Sequence, residues 1–260
     1  MTVNETIEVN SYFIETPRLR RFEIATHADD RSVQPSIATG RYEPHVQLLL
    51  ETYCKDKNRV LDIGANYGQH SVLMAALNPK AEVIAIEASS QNAAVLRHNL
   101  KRNASSNVRV IEAFLGEEDG HTIDYYYETS NAGCAFGCRT DYGEVNHAEI
   151  KKQVQTVTLD TLIAEPVDFV KMDIEGAERA AILGGQRLFT HCGSLLIELN
   201  RYTSENFRNE PIDRLIDQIA GLGFHRGILC SEKGVHELTI PSIKQIMGQL
   251  ELCDVLFLKA

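Results

Sequence analysis

Acidic side chains end several of the apolar runs in this chain, and glycines sit beside one of them. In "VLDIGANYGQHS", residues 60–71, an apolar run reaches Asp62, then Gly64 and Gly68 bracket Ala65, Asn66 and Tyr67 before helix-forming residues follow. Glu87 closes the next run, "VIAIEA". Further on, "DFVKMDIEG" places Lys171 and Asp173 on one face of an extended segment, with Glu175 on the turn beyond. "LLIELN" does the same for Glu198 and Asn200.

A strand that turns through glycine into a helix points backbone N–H groups into the turn. A dinucleotide requires G-x-G-x-x-G there, because its pyrophosphate must lie against bare backbone. This chain has Asn66 in place of the second glycine and Gln69 in place of the third. Asp62 beside the turn also opposes a ligand carrying two negative phosphates. S-adenosylmethionine reverses those demands, having no phosphate and carrying an ammonium and a sulfonium beside a single carboxylate. Its two ribose hydroxyls suit an acid at a strand tip, the position of Glu87. The plainer alternative is that the glycines serve only a tight turn. An NAD-type oxidoreductase and a cofactor-binding scaffold without turnover are the rival functions.

Transfer of a methyl group from a sulfonium is an in-line displacement, so the protein mainly aligns the reacting atoms. A neutral hydroxyl acceptor also needs a base or a metal beside the methyl group. Asp173 is the best-placed acid, with Glu198 and Lys171 near it. Asp173, Glu198 and Asn200 on adjacent strand tips can supply oxygen ligands to Mg²⁺. The alternatives are a metal-free base or anchor, and a lysine that only satisfies buried acids. His70, in the first turn after the glycines, is a second candidate base or else a packing residue. Glu178 fits a solvated or dipole-facing acid. His147 is a candidate in a covering segment, and Tyr125, Tyr126 and Tyr127 can stack on an acceptor or pack an edge strand.

The elements that must position these groups alternate. "RVLDIG", "EVIAIEA", "NVRVIEAFLG", "VDFVKMDI" and "SLLIELN" are short apolar strands, separated by helical patterns such as "GQHSVLMAAL", "SQNAAVLRHNLKRN" and "PIDRLIDQIAGLG". Continuous apolar strands joined by helices imply a mostly parallel sheet covered on both faces. "FHRGILC" and "DVLFLKA" close the chain around a helical "PSIKQIMGQLEL", so the ending can pair antiparallel. Residues 1–40 are an N-terminal extension with one strand, "RRFEI", and a loop, "THADDRSVQPS". Residues 41–260 form the catalytic domain, with a hairpin insert at 120–160 that covers the substrate.

Composition narrows the function. The 260 residues carry 26 basic and 36 acidic side chains, a net charge of −10, which opposes phosphate backbones. A small-molecule acceptor is therefore expected, not a nucleic acid. No apolar run is long enough to span a bilayer, and the N-terminus lacks the basic start and apolar stretch of a signal peptide. A cytoplasmic protein with no membrane partner is expected. The six cysteines are scattered, and the close pair Cys134 and Cys138 lacks the second pair or histidines of a zinc site, so reduced thiols are expected.

The run "VLDIGANYGQHS", then "VIAIEAS", "DFVKMDIEGAERAAILGG" and "LLIELN", resembles the FkbM family of S-adenosylmethionine-dependent methyltransferases over roughly residues 40–200. The resemblance implies a Rossmann-like class I methyltransferase fold: an α/β protein with a mostly parallel seven-stranded sheet, its last strand inserted antiparallel. It also implies O-methylation of a hydroxyl on a sugar or secondary metabolite. Carried over by position, Asp62, Gly64, Ala65, Asn66 and Gly68 would line the methionine end of the cofactor and Glu87 the ribose. Glu43, in "GRYEP", resembles the acid that closes over the cofactor, and Asp173 would face the methyl group.

Overall fold

The computed structural model describes residues 8–127, 130, 131, 136–138, 150–207, 209–231 and 234–259. The chain opens with β1 (Val9–Glu15) and β2 (Arg21–His27), an antiparallel pair, followed by α1 (Gln34–Ala38) and α2 (Pro44–Tyr53). Next come β3 (Arg59–Ile63), α3 (Gln69–Leu77), β4 (Glu82–Glu87), α4 (Ser90–Arg102) and β5 (Val108–Glu112). A small sheet interrupts the alternation: β6 (Phe114–Leu115), β7 (Thr122–Tyr127), β8 (Phe136–Cys138) and β9 (Ile150–Val157). The alternation resumes with α5 (Leu159–Leu162), β10 (Phe169–Met172), α6 (Glu178–Leu183), α7 (Gln186–His191), β11 (Ser194–Asn200), α8 (Arg201–Phe207) and α9 (Ile212–Gly221). β12 (Phe224–Ser231), β13 (Gly234–Thr239), α10 (Ile240–Met247) and β14 (Leu252–Lys259) end it.

The main sheet runs β13-β12-β14-β11-β10-β3-β4-β5. β5, β4, β3, β10 and β11 are parallel, and β14 enters antiparallel between β11 and β12. The sheet therefore has eight strands where seven are expected. The additional one, β13, pairs antiparallel at the edge and is almost wholly exposed, so "GVHELT" lacks the apolar signal of a core strand. The strand order reverses between β3 and β10, the crevice where open α/β sheets bind ligands.

Both faces of the central strands are buried, as their unbroken apolar runs require. Val60, Phe169 and Leu196 pack against Val46, Leu49, Leu50, Leu73 and Met74 of α2 and α3. Leu61, Ile63, Val170, Met172, Leu195 and Ile197 face the opposite way, toward Ile182, Leu188, Ile216, Ile219 and Ile243. Alternation puts Asp62, Lys171 and Glu198 on the face covered by α2. In register, Lys171 stands directly beside Asp62.

Residues 8–40 differ from expectation. They hold two strands and a helix, and part of the expected loop is α1. Ile14, Ile24 and Ile37 are completely buried against Tyr67, Val72 and Leu96. Asn99 of α4 clamps the hairpin, accepting from Ala25 N and donating to Ala25 O and Tyr67 O, each at 2.8 Å. In the insert, β7 pairs antiparallel with both β8 and β9, and the sheet order is β6-β9-β7-β8. Cys134 and His147 lie outside the described residues. The described cysteines Cys54, Cys192, Cys230 and Cys253 are free thiols. Among the described residues no helix is long and apolar enough to cross a membrane.

Candidate active site

A cavity of about 360 Å³ opens over the carboxyl ends of β3, β4, β10 and β11. Its floor is the turn after β3. Gly64 sits at φ +78°, and a Cβ there would lie 1.7 Å from the Asp173 carbonyl oxygen, so only glycine lets β10 end against this turn. Asn66 also has a left-handed backbone, φ +48°. The turn's amides are already committed: Gly64 N and Ala65 N both donate to Ile86 O, at 2.9 and 3.0 Å. Asn66 N donates to Glu87 Oε2 at 2.8 Å, and Ser89 N donates to Glu87 Oε1 at the same distance. A turn whose amides are taken, with a carboxylate set into it, offers no nest for pyrophosphate.

Glu87 is buried, and this pushes its carboxyl up to about 7, while the Ser89 and Asn66 amides hold it from rising further. The carboxylate still has acceptor capacity for a ligand hydroxyl.

The far wall of the cavity is acidic. Asp173, Glu175 and Glu198 each bring a carboxylate oxygen within 4.8 Å of the others. Among the described residues lining the cavity, Lys171 is the only lysine or arginine. Its Nζ donates to Asp173 Oδ2 at 3.1 Å. Burial works against the charge on Lys171, but Asp173, Asp62 and Glu43 outweigh it and raise its pKa. Burial and the crowding of Asp173 push Glu175 up to about 8; burial, Asp173 and Glu175 push Glu198 up to about 10. Burial likewise raises Asp173, against the pull of Lys171.

Glu43 closes this wall from the start of α2. Its backbone is left-handed, φ +39°, and its Oε2 meets His70 Nε2 at 2.8 Å. Burial opposes its charge, yet the His70 bond and Lys171 hold its carboxyl down at about 2. Two residues on, His45 Nε2 meets Asp254 Oδ2 at 2.8 Å. Asp254 is the β14 residue directly across from Glu198.

Of the sequence candidates, Glu43, Gly64, Ala65, Asn66, His70, Glu87, Lys171, Asp173 and Glu198 all line the cavity. Asp62 and Gly68 do not. Asp62 is fully buried beneath the turn, where its Oδ2 accepts from Ser71 Oγ at 2.5 Å. Gly68 caps α3, and a Cβ there would meet Leu96 Cδ1 at 2.2 Å, so its role is helix packing. Asn200 donates to Glu198 Oε1 at 3.3 Å and accepts from Thr203 N, and Glu175 takes its expected place in the acid group. Glu178 is buried, not solvated, with Oε1 accepting from Ile174 N and Gly176 N, so it braces the loop that carries Glu175.

No sequence signal pointed to Ser32, Val33 and Ser36, which bring the N-terminal segment into the cavity wall. Tyr42 and Gln69 also line it, and their neighbours Glu43 and His70 were the only pointers to them. Tyr125 lines the opposite end, its ring edge-on to Phe114 at 5.0 Å.

The family described as "Methyltransferase FkbM domain" matches residues 62–226, well over half of the chain. No curated protein matches. Among solved structures, a methyltransferase FkbM from Methylobacillus flagellatus KT shares 18% identity at a TM-score of 0.48, over 78% of this chain. This chain spans only 44% of that one. An O-methyltransferase from Bacillus cereus in complex with SAH shares 17% identity at a TM-score of 0.47, over 89% of this chain and 84% of that one. A precorrin-6y C5,15-methyltransferase from Geobacter metallireducens GS-15 shares 16% identity at 0.46, over 85% and 89%. The sheet order, with its antiparallel strand inserted between β11 and β12, is that of a class I methyltransferase. The chain belongs to the FkbM methyltransferase family.

Proposed function

We propose that the protein transfers a methyl group from S-adenosylmethionine to a hydroxyl of a small molecule, a sugar or secondary metabolite. One observation carries the choice of donor: the turn's amides are bonded to Ile86 O and Glu87, so the floor of the cavity favours a cationic, phosphate-free ligand. The volume falls within the roughly 300–1,000 Å³ of small-molecule sites. In this reading Glu87 takes the ribose hydroxyls, and Gly64, Ala65 and Asn66 flank the methionine end under Glu43. When bound, the donor supplies an electrophilic methyl carbon on sulfur.

The chain's own groups do the rest. Asp173, kept oriented by Lys171, accepts the hydrogen bond of the acceptor hydroxyl, aligns its oxygen and takes its proton as the oxygen gains the methyl group that leaves sulfur. Glu198, beside Asp173 in the acid group, anchors the acceptor molecule. His70, with Nε2 engaged by Glu43, acts by fixing Glu43 and not as the base. Asp173, Glu175 and Glu198 also present a donor set for Mg²⁺, but Lys171 already places a cation on Asp173, which favours a metal-free reaction. The acidic walls likewise favour a small acceptor over a phosphate backbone.

Calorimetric titration with S-adenosylhomocysteine and with NADH tests the donor. Binding of the first alone is expected, and binding of NADH alone would defeat the proposal. Turnover of a labelled methyl donor is expected to survive EDTA; its loss on chelation would restore the magnesium reading.

A further inference from the structure

Glu175 and Glu198 stand together on the acidic wall. Among the described residues no lysine, arginine or histidine pairs with either, and the amide of Asn200 is the group that reaches Glu198. The pocket's lysine is spent on Asp173, and Glu43 has His70. Glu175 is held on the cavity wall by a left-handed backbone, φ +51°, braced by the Glu178 bonds to Ile174 N and Gly176 N. Gln69 also lines the cavity, and among the described residues its buried Oε1 has no hydrogen-bond partner. The acceptor end of the cavity thus shows acceptor oxygens that ask for N–H or O–H donors and a positive charge.

Just outside it lies an apolar rim. Leu252 is the β14 partner of Asn200, two residues and roughly 7 Å along the strands from the Asp254–Glu198 pair and on the same sheet face. Leu252 is 47% exposed and Leu250 45%. Arg201 ties the start of α8 to this segment through Glu251 O and Leu250 O. Two large exposed apolar side chains beside an acidic pocket mark a surface that a ligand's apolar part covers.

We propose that the methyl acceptor is an amphiphilic amino alcohol, its ammonium held by Glu175 and Glu198 and its apolar chain laid along Leu252 and Leu250. This deepens the proposed function and rests on its placing of the methyl group over Asp173. A neutral sugar would leave both acids without a counter-charge and the rim uncovered.

The test is a calorimetric titration of the S-adenosylhomocysteine-loaded protein with three probes. These are 2-aminooctan-1-ol, octane-1,2-diol (the amine replaced by hydroxyl) and 2-aminopropan-1-ol (the chain removed). The first is expected to bind about tenfold or more tightly than either of the others, since a charged hydrogen bond and a few buried methylenes are each worth that much. Glu175→Gln should erase the margin over the diol. Leu250→Ser with Leu252→Ser, both at exposed positions that the fold tolerates, should erase the margin over the short amine. Equal binding of the diol overturns the ammonium anchor, and equal binding of the short amine overturns the apolar chain. Stoichiometric uptake of Mg²⁺ that expels the amine assigns the acids to a metal and overturns the proposal as well. Repeating the series without S-adenosylhomocysteine keeps the two readings apart. Probe preference without donor binding defeats the donor alone, whereas donor binding without probe preference defeats the amino alcohol alone.

Discussion

Glu87 shows how one side chain can serve both the fold and a ligand. Its carboxylate braces the turn through Asn66 N and Ser89 N, and the residue lines the cavity. Glu87→Gln should weaken S-adenosylhomocysteine binding about tenfold or more, because a charged acceptor becomes a neutral one. An unchanged Kd by calorimetry would reduce Glu87 to a structural brace. The raised acids also set a pH dependence. Glu87, Glu175 and Glu198 ordinarily titrate near 4.5, and in the folded chain at about 7, 8 and 10. Above pH 4.5 the folded protein therefore binds more protons than the unfolded one, and stability falls as pH rises. The thermal midpoint of the ligand-free protein should drop between pH 5 and 8, the window that Glu87 and Glu175 span. Affinity for a cationic donor should rise over that window, since its charge favours the ionised acids. Glu43, at about 2, keeps its contribution throughout this range and loses it only in strong acid. A midpoint that climbs from pH 5 to 8 would contradict the crowding of these acids.

At the scale of elements, the approach of β10 to the turn after β3 makes the site. Gly64 permits it, and its replacement separates two kinds of glycine. Gly64→Ala drives a Cβ into the backbone carbonyl of Asp173 at a left-handed φ, so β10 must retreat and carry Asp173 and Glu175 with it. Gly68→Ala meets only a leucine methyl, also at positive φ. The first variant should lose measurable donor binding, while the second should lose about 1–3 kcal/mol of stability and retain binding. Chemical denaturation and calorimetry on both check this. The sequence reveals this turn because glycine, asparagine and a following helix leave few alternatives. It does not reveal that Glu178 would turn inward to hold the next loop. A helix-opening acid reads as solvated, and only the packing of β10 against α6 decides otherwise.

For the molecule as a whole, the described part of the N-terminal segment, residues 8–40, packs into the core. Ile14, Ile24 and Ile37 have no exposure, and Ser32, Val33 and Ser36 reach the cavity. Each such isoleucine is worth about 1.5–3 kcal/mol, and about 2–4 °C follows each kcal/mol in a chain of this size. Removing residues 1–40 should therefore lower the melting midpoint by about 10 °C or more in differential scanning calorimetry, and weaken donor binding too. A truncated protein that melts normally would return this segment to the status of an extension. The parallel core, the switch-point turn and the strand-tip acids were legible in the sequence, because apolar periodicity and glycine act locally along the chain. The tertiary structure alone decided which acids share a wall, that Asp62 stays beneath it, that His70 pairs with Glu43, and that β1, β2 and α1 close one side. Those outcomes depend on distances between residues far apart in sequence, which burial and charge settle only when the elements meet.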